Sequence, residues 1–158
     1  MSAEQGWTAL VLAGSRPGVD PFAEEHGAAV KALIPVAGEP MVVHPVRALL
    51  ASPQVREVRV LSQQPDLLEP VLPSDPRLRQ STSSGTIAET LLAICDDPAT
   101  QWPLLVTTAD HVLLDREMVA EFTRASAGAD VAVALVERRP LLARFPDAQR
   151  TWLKYRGG

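Results

Sequence analysis

The stretch that decides the fold runs from residue 10 to residue 41 and reads LVLAGSRPGVDPFAEEHGAAVKALIPVAGEPM. A short apolar strand, predicted over residues 7–13, stops at Gly14. Residues 14–30 then carry glycine, proline and charge without a period, which predicts a long loop, and apolar sequence resumes around a single lysine, Lys31. A loop of this size in a compact domain is more often functional than accidental. We therefore expect an anionic ligand between this loop and Lys31.

Apolar runs and helical repeats alternate along the rest of the chain. The predicted strands cover residues 57–61, 77–81, 103–107, 130–136 and 150–158. The predicted helices begin at Glu39-Pro40, after a capping box at Thr86 and Glu89, and after Asp115, the last of them ending at Gly128. This alternation predicts an α/β fold, namely a Rossmann-like three-layer α/β/α arrangement with a mostly parallel mixed sheet.

Bulk composition limits the function classes. The 158 residues suffice for one core, and we predict a single domain over residues 1–158. The net charge of −4 argues against a nucleic-acid-binding surface, which would be basic. No apolar run reaches the length of a membrane span and no signal peptide is evident, so we expect a cytoplasmic protein without a membrane partner. The single cysteine, Cys95, excludes an intrachain disulfide and lies in an apolar run that predicts burial.

Three polar features follow predicted strands of the sheet. They are Gly14-Ser15-Arg16 after the first strand, the segment from Gln80 to Thr86 after Arg77-Leu78-Arg79, and Asp110 after the strand at 103–107. Ligands of open α/β sheets bind beyond the carboxyl ends of the strands, so these features are expected to converge. Backbone amides near Gly14 and the guanidinium of Arg16 suit phosphate oxygens. The carboxylate of Asp110 suits Mg²⁺, which binds one or two carboxylates together with phosphate oxygens.

Taken alone, each feature also has a structural interpretation, and the residues leave both open. Gly14 could make a simple turn with Arg16 in solvent. An isolated lysine such as Lys31 commonly extends its amine to the surface. Thr86 could merely cap a helix, with Gly85 forming the turn before it.

The segments LVLAGSRPG and VKALIPVAGEPM resemble the signature of the NTP transferase superfamily, which includes sugar-phosphate nucleotidyltransferases and the molybdenum-cofactor guanylyltransferase type. The resemblance implies a sheet of the nucleotide-diphospho-sugar transferase type, catalytic roles for Lys31 and Arg16 at the phosphates, and Asp110 as the metal ligand. It also implies a set of nucleotide-binding residues: Leu12, Ala13, Gly14, Ser15, Gln80, Gly85 and Thr86. The chain departs from the signature where Ser15 replaces a second glycine and Gly18-Val19-Asp20 replaces glycine-threonine-arginine.

The function that this resemblance implies is Mg²⁺-dependent transfer of a nucleoside monophosphate. The donor would be a nucleoside triphosphate, and the acceptor a phosphorylated small molecule such as a sugar phosphate, with release of pyrophosphate. The alternatives are a non-catalytic nucleotide-binding module or sensor, and a dinucleotide-dependent enzyme, which the missing GxGxxG motif disfavours. Because superfamily domains generally continue further, we expect this chain to lack the C-terminal acceptor-binding part. An exposed apolar flank would then favour homo-oligomers. The nucleobase, the acceptor and a second metal ligand are not identified by the sequence.

Overall fold

The computed structural model describes residues 6–15, 18, 20–83 and 85–153. The chain divides into two compact units, Met1–Arg124 and Ala125–Gly158. The described residues form six strands: β1 (Trp7–Leu12), β2 (Pro35–Val36), β3 (Glu39–Pro40), β4 (Val55–Ser62), β5 (Leu78–Thr82) and β6 (Leu104–Thr108). They also form six α-helices: α1 (Pro21–Glu25), α2 (Val43–Leu50), α3 (Pro65–Leu68), α4 (Ile87–Asp96), α5 (Arg116–Ala125) and α6 (Arg138–Arg144).

Four of the strands make the central sheet, in the order β5-β4-β1-β6, and every neighbouring pair is parallel. In this register Leu12 at the end of β1 lies opposite Leu61 of β4 and Thr108 of β6. The carboxyl ends of the three strands therefore meet at one edge. The predicted Rossmann-like α/β class is confirmed, with helices α2, α4 and α5 flanking the parallel sheet.

The main core covers one face of the sheet. It contains alternate side chains of the strands together with residues of α2 and α5, among them Val11, Val60, Val46, Leu49 and Val119. Each is at most 2 % exposed, and full burial of such a side chain stabilises the fold by about 1.5–3 kcal/mol. This burial fixes the alternation of β1 and β4, because a slip of one residue would turn every core side chain outward.

The amino ends of the strands are joined by polar contacts. The hydroxyl of Thr8 donates to the carbonyl of Gln101 at 2.9 Å. Arg56 donates from Nη2 to the same hydroxyl at 2.9 Å and to the carbonyl of Trp102 at 3.3 Å. These bonds tie β4, β1 and the chain before β6 together at the edge opposite the predicted site.

The segment between β1 and α2 differs from its prediction. Residues 14–30 contain a short helix, α1, because Asp20 accepts hydrogen bonds from the amides of Phe22 and Ala23 while Pro21 occupies the first turn. The predicted start of a helix at Glu39-Pro40 is wrong. Those residues form strand β3, paired with β2 across a two-residue turn, and helix α2 begins at Val43.

The predicted strand at residues 130–136 is also wrong, because these residues have no strand partner in the described part of the chain. Val131, Val133, Leu135 and Val136 are 57–83 % exposed. A β-branched alternating sequence favours extended backbone, but a strand forms only when its backbone groups pair with a neighbour. Residues 150–153 likewise form no strand, and the rest of that predicted strand lies outside the described residues.

The second compact unit contains helix α6. Within that unit the guanidinium of Arg138 lies 5.6 Å from the ring centre of Trp152. None of the described helices of either unit has the length and apolar character needed to cross a membrane.

Helix α4 is confirmed with its predicted capping box, but its predicted apolar face is not buried. Ile87 is 58 % exposed, and Cys95, expected in the core, is exposed as well. The helix lies over the sheet face opposite the main core, across a groove of about 500 Å³ lined by Arg59 and Ser81 of the sheet and by Ile94 of the helix. The sequence repeat thus predicts the helix correctly, but the burial of its apolar side chains depends on how closely the sheet packs against α4.

The turn between β2 and β3 generates a stability prediction. Ala37 and Gly38 both have positive φ, 50° and 86°, which suits asparagine and glycine in a two-residue hairpin turn. Ala37→Asn should raise the free energy of unfolding by about 0.5–1 kcal/mol, because asparagine tolerates this conformation better than alanine. Gly38→Ala should lower it by about 1 kcal/mol, since backbone strain is its only cost in an open position. Urea unfolding of both variants measures the two signs, and equal signs would contradict the turn assignment.

Candidate nucleotide site

A cavity of about 1750 Å³ opens at the carboxyl ends of β1, β4 and β6. Eight of the predicted site residues line it: Leu12, Ala13, Gly14, Ser15, Lys31, Gly85, Thr86 and Asp110. They come from four separate parts of the sequence, and the parallel register of the sheet brings the carboxyl ends of β1 and β6 side by side. Arg16 lies outside the described residues.

Lys31 reaches into the cavity from a 3₁₀ turn, Lys31–Leu33, whose flanks are fixed. Val30 and Ala32 on either side are buried. The carbonyl of Ala32 accepts a hydrogen bond from the amide of Val42, which joins the turn to the start of α2. Because the residues on both sides of Lys31 are packed in the core, its side chain, 40 % exposed, extends into the cavity.

Asp110 meets Lys31 inside the cavity. The Nζ atom of Lys31 lies 2.6 Å from Oδ2 of Asp110, across 79 residues of sequence. Oδ1 of the same carboxylate accepts a hydrogen bond of 2.5 Å from the hydroxyl of Thr108. The amide of Ala109 donates to the carbonyl of Leu12, so this turn continues the pairing of β6 with β1. Both carboxylate oxygens are therefore held by protein donors.

These contacts lower the pKa of Asp110 below its ordinary value. The hydrogen bond from Lys31 is the largest cause and the bond from Thr108 is the second, while partial burial acts in the opposite direction. The carboxylate is thus anionic at neutral pH. It is also 46 % exposed, so water or a ligand can reach it.

The residues fit a magnesium ion that arrives with a phosphate ligand. Asp110 supplies an oxygen of the kind that Mg²⁺ prefers, and it borders a cavity large enough for a nucleotide. Within the described ranges no group of three histidine, cysteine, aspartate or glutamate residues could hold a metal ion. Phosphate oxygens and water would therefore have to complete the coordination, as is usual for Mg²⁺.

The turn at Gly85 and Thr86 borders the cavity at the start of α4. Thr86 accepts a hydrogen bond from the amide of Glu89, and Glu89 accepts from the amide of Thr86 at 2.6 Å. Gly85 has a φ of 85°, and a Cβ there would lie 2.5 Å from the Glu89 carboxylate. Bonds from Thr86 lower the pKa of Glu89. Thr86 thus caps the helix and lines the cavity at the same time.

Gln80 is placed apart from the other predicted site residues. It does not line the cavity, since it shares the sheet face of Leu78, whose side chain packs on the main core. Its Oε1 atom is buried and has no hydrogen-bond partner in the described part of the chain. Along the strand, Ser81 and Ser83 alternate with Gln80 and lie on the opposite face. Ser83 therefore lines the cavity, whereas Gln80 does not.

Gln63 and Asp20 are two polar residues of the cavity wall, among others, that were not predicted as site residues. Gln63 follows the end of β4 and accepts a hydrogen bond from the amide of Ser15 at 2.9 Å. Asp20 lines the cavity while capping α1. A signal existed for both: Gln63 follows a strand as Asp110 does, and Asp20-Pro21 has the residue types of a helix start.

The ion pair generates a prediction about pH. Because the pKa of Asp110 is lowered in the folded state, its contribution to stability is present above the ordinary carboxyl value of about 3.9. That contribution is lost as the pH falls through the lowered value. The difference in unfolding free energy between wild type and Asp110→Asn should therefore shrink below about pH 4, from a plateau of at most about 1 kcal/mol for this half-exposed pair. Urea unfolding across this range tests it, and a difference independent of pH would contradict the pairing.

Comparisons with known proteins agree with this geometry. Residues 9–153 match the sequence profile of the MobA-like NTP transferase domain. A hypothetical transferase from Thermus thermophilus is 29% identical with a TM-score of 0.73, and the similarity covers 97% of this chain and 61% of that one. The chain thus spans about three fifths of that relative's length. No curated protein sequence matches significantly.

Two solved enzymes share the fold at lower identity. One is 4-diphosphocytidyl-2C-methyl-D-erythritol synthase from Anaerococcus prevotii, at 11% identity and a TM-score of 0.58, covering 85% of this chain and 60% of that one. The other is a CMP:2-keto-3-deoxy-manno-octonic acid synthetase complexed with CTP, at 14% identity and a TM-score of 0.58, covering 78% and 48%. At these identities the similarity establishes the fold.

Proposed function

We propose, from the premise that this chain belongs to the family of MobA-like NTP transferase domains, that it transfers a nucleoside monophosphate from a nucleoside triphosphate to a phosphorylated small molecule. The observation that carries the proposal is the Lys31–Asp110 pair in the cavity beside Gly14. It places a cation and a carboxylate side by side where a triphosphate with its metal ion needs both. Sugar phosphates are the acceptor class that the sequence resemblance supports.

The reaction would be an in-line displacement at phosphorus. A phosphate oxygen of the acceptor forms a bond to the α-phosphorus, and the bond from that phosphorus to the oxygen bridging to the β-phosphate breaks. The electron pair of the broken bond leaves on pyrophosphate. The attacking phosphate is already an anionic nucleophile, so the protein needs to supply no general base. Its contribution is positioning and neutralisation of charge.

Lys31 has the geometry for charge neutralisation. Its ammonium group would leave Asp110 and donate to phosphate oxygens, because hydrogen bonds between an ammonium group and an anionic phosphate are stronger than neutral ones. The buried flanks of its turn keep the side chain aimed into the cavity during this exchange. We assign Arg16 to the same phosphates on the resemblance alone, since it lies outside the described residues.

Asp110 would hold Mg²⁺ once Lys31 has moved to the phosphates. When bound, the ion would neutralise negative charge that builds up on the phosphate oxygens. Lys31 donates to the Oδ2 atom of Asp110, so the metal ion and the lysine would compete for one carboxylate. Nucleotide and metal ion should accordingly strengthen each other's binding.

Thermal unfolding with ATP, CTP, GTP and UTP, each with and without Mg²⁺, tests the proposal. One triphosphate at about 100 times its Kd should stabilise the protein by about 2.7 kcal/mol, and Mg²⁺ should enlarge the shift. Asp110→Asn should abolish the metal-dependent part. Asp96→Asn, which removes an exposed carboxylate at the end of α4, is the matched control and should behave like wild type.

The outcomes separate the candidate functions. No shift with any triphosphate would contradict the proposed function. A metal-dependent shift without pyrophosphate release from a panel of sugar phosphates would favour a nucleotide-binding module or sensor, the alternative that the 61% coverage of the Thermus relative keeps open. Pyrophosphate release with one acceptor would identify the acceptor.

Lys31→Met provides an independent test of the exchange. The variant should release pyrophosphate about 100-fold or more slowly, the usual effect of removing one electrostatic donor from a transition state. Without nucleotide it should bind Mn²⁺ more tightly than wild type, because Asp110 no longer has its lysine partner. Arg124→Met, on an exposed part of α5, controls for net charge. If Lys31→Met binds Mn²⁺ no more tightly than wild type, the proposed competition between Lys31 and the metal ion for Asp110 is contradicted.

A further inference from the structure

Gln63 lies at the meeting point of two strand ends. It follows Ser62, the last residue of β4, and β4 is the parallel neighbour of β1. The amide of Ala13 donates to the carbonyl of Leu61 at 2.8 Å, so the pairing of the strands extends past the end of β1. The side chain of Gln63 therefore starts beside the turn of residues 13–15.

Two contacts join the Gln63 carboxamide to that turn. Its Oε1 accepts a hydrogen bond of 2.9 Å from the amide of Ser15. A Cβ on Gly14 would lie 2.9 Å from Nε2 and 3.0 Å from Oε1 of the same side chain. The carboxamide thus rests against the bare Cα of Gly14 while it holds the next amide.

This contact gives Gly14 a reason to be glycine. Its φ is not in the left-handed region, so any residue could adopt its backbone conformation. The nearest atoms that a Cβ would meet all belong to Gln63. A side chain at Gly14 would push the flexible end of Gln63 aside and break its bond to Ser15.

The backbone next to Gln63 is held by hydrogen bonds. Ser62 is buried, and its hydroxyl accepts a hydrogen bond from the amide of Gln64 at 3.1 Å. The carbonyl of Ser62 accepts from the amide of Ser83 at 2.9 Å. Ser62, the residue before Gln63, is therefore hydrogen-bonded both to the end of β5 and to the turn into α3.

We infer that Gln63 is a positioning residue: it orders the turn of residues 13–15 before the nucleotide arrives, through Ser15 and across Gly14. The inference rests on the proposed function, because the turn matters as a phosphate-binding loop. Ordering a loop in advance removes part of the entropic cost of binding, so loss of the bond weakens binding even though Gln63 need not contact the ligand.

The hydrogen bond between Ser15 and Gln63 can be tested on the protein without nucleotide. Amide exchange of Ser15, followed by NMR without nucleotide, should become about fivefold faster in Gln63→Met, which keeps the length of the side chain but lacks the acceptor. Gln63→Glu keeps an acceptor oxygen and should keep the slow exchange. Gln64→Met changes the adjacent glutamine and should match wild type. Equal exchange rates in wild type and Gln63→Met would overturn the inference.

Triphosphate titration tests the consequence. Gln63→Ala and Gly14→Ala should each weaken binding about fivefold, with little change in melting temperature since Gln63 is exposed. Their effects should not add, because the three nearest atoms that alanine at position 14 would meet are all removed when Gln63 is shortened. Additive effects would mean that Gly14 serves the ligand directly and would overturn the inference.

The two proposals fail in different ways. If wild type binds no triphosphate while Ser15 exchange depends on Gln63, the contact stands and the proposed function fails. If wild type binds a triphosphate and Gln63→Ala binds it equally well, the proposed function stands and the positioning role fails.

Discussion

The site depends on the pairing of β1 with its two parallel neighbours. Two backbone hydrogen bonds continue the pairing past the strand ends, from Ala13 to Leu61 and from Ala109 to Leu12. They fix where the segments after β1, β4 and β6 leave the sheet, and each of these segments contributes residues to the cavity. This frame places Asp110 within 2.6 Å of the amine of Lys31, which is 79 residues away in the sequence.

Two of the polar groups of the cavity have protein partners. Lys31 is paired with Asp110, and the amide of Ser15 is paired with Gln63. Such pairing avoids leaving donors and a carboxylate without partners in a partly buried place. It also means that a ligand must offer better partners than the protein does, and a chelated triphosphate offers both an anionic acceptor for the lysine and a cation for the aspartate.

Patterns local in sequence were readable, whereas pairings between distant parts of the chain were not. The four sheet strands, the capping box at Thr86 and the cap at Asp115 were predicted from residue types within a few positions of each other. The segment 130–136 has the composition of a strand, but its state depends on a partner that composition cannot reveal. Gln80 was assigned by its order in the sequence, while its direction depends on which strand face meets the core.

The bonds from Arg56 and Thr8 at the amino ends of the strands lie at the sheet edge opposite the cavity. The polar bonds that join the strands and the residues of the candidate site thus lie at opposite edges of the sheet. Loops at the carboxyl ends of the strands can vary in length and composition while the contacts at the amino ends of the strands are kept. The carboxyl-side loops are therefore the segments to exchange with those of relatives when the ligand preference of the candidate site is to be altered.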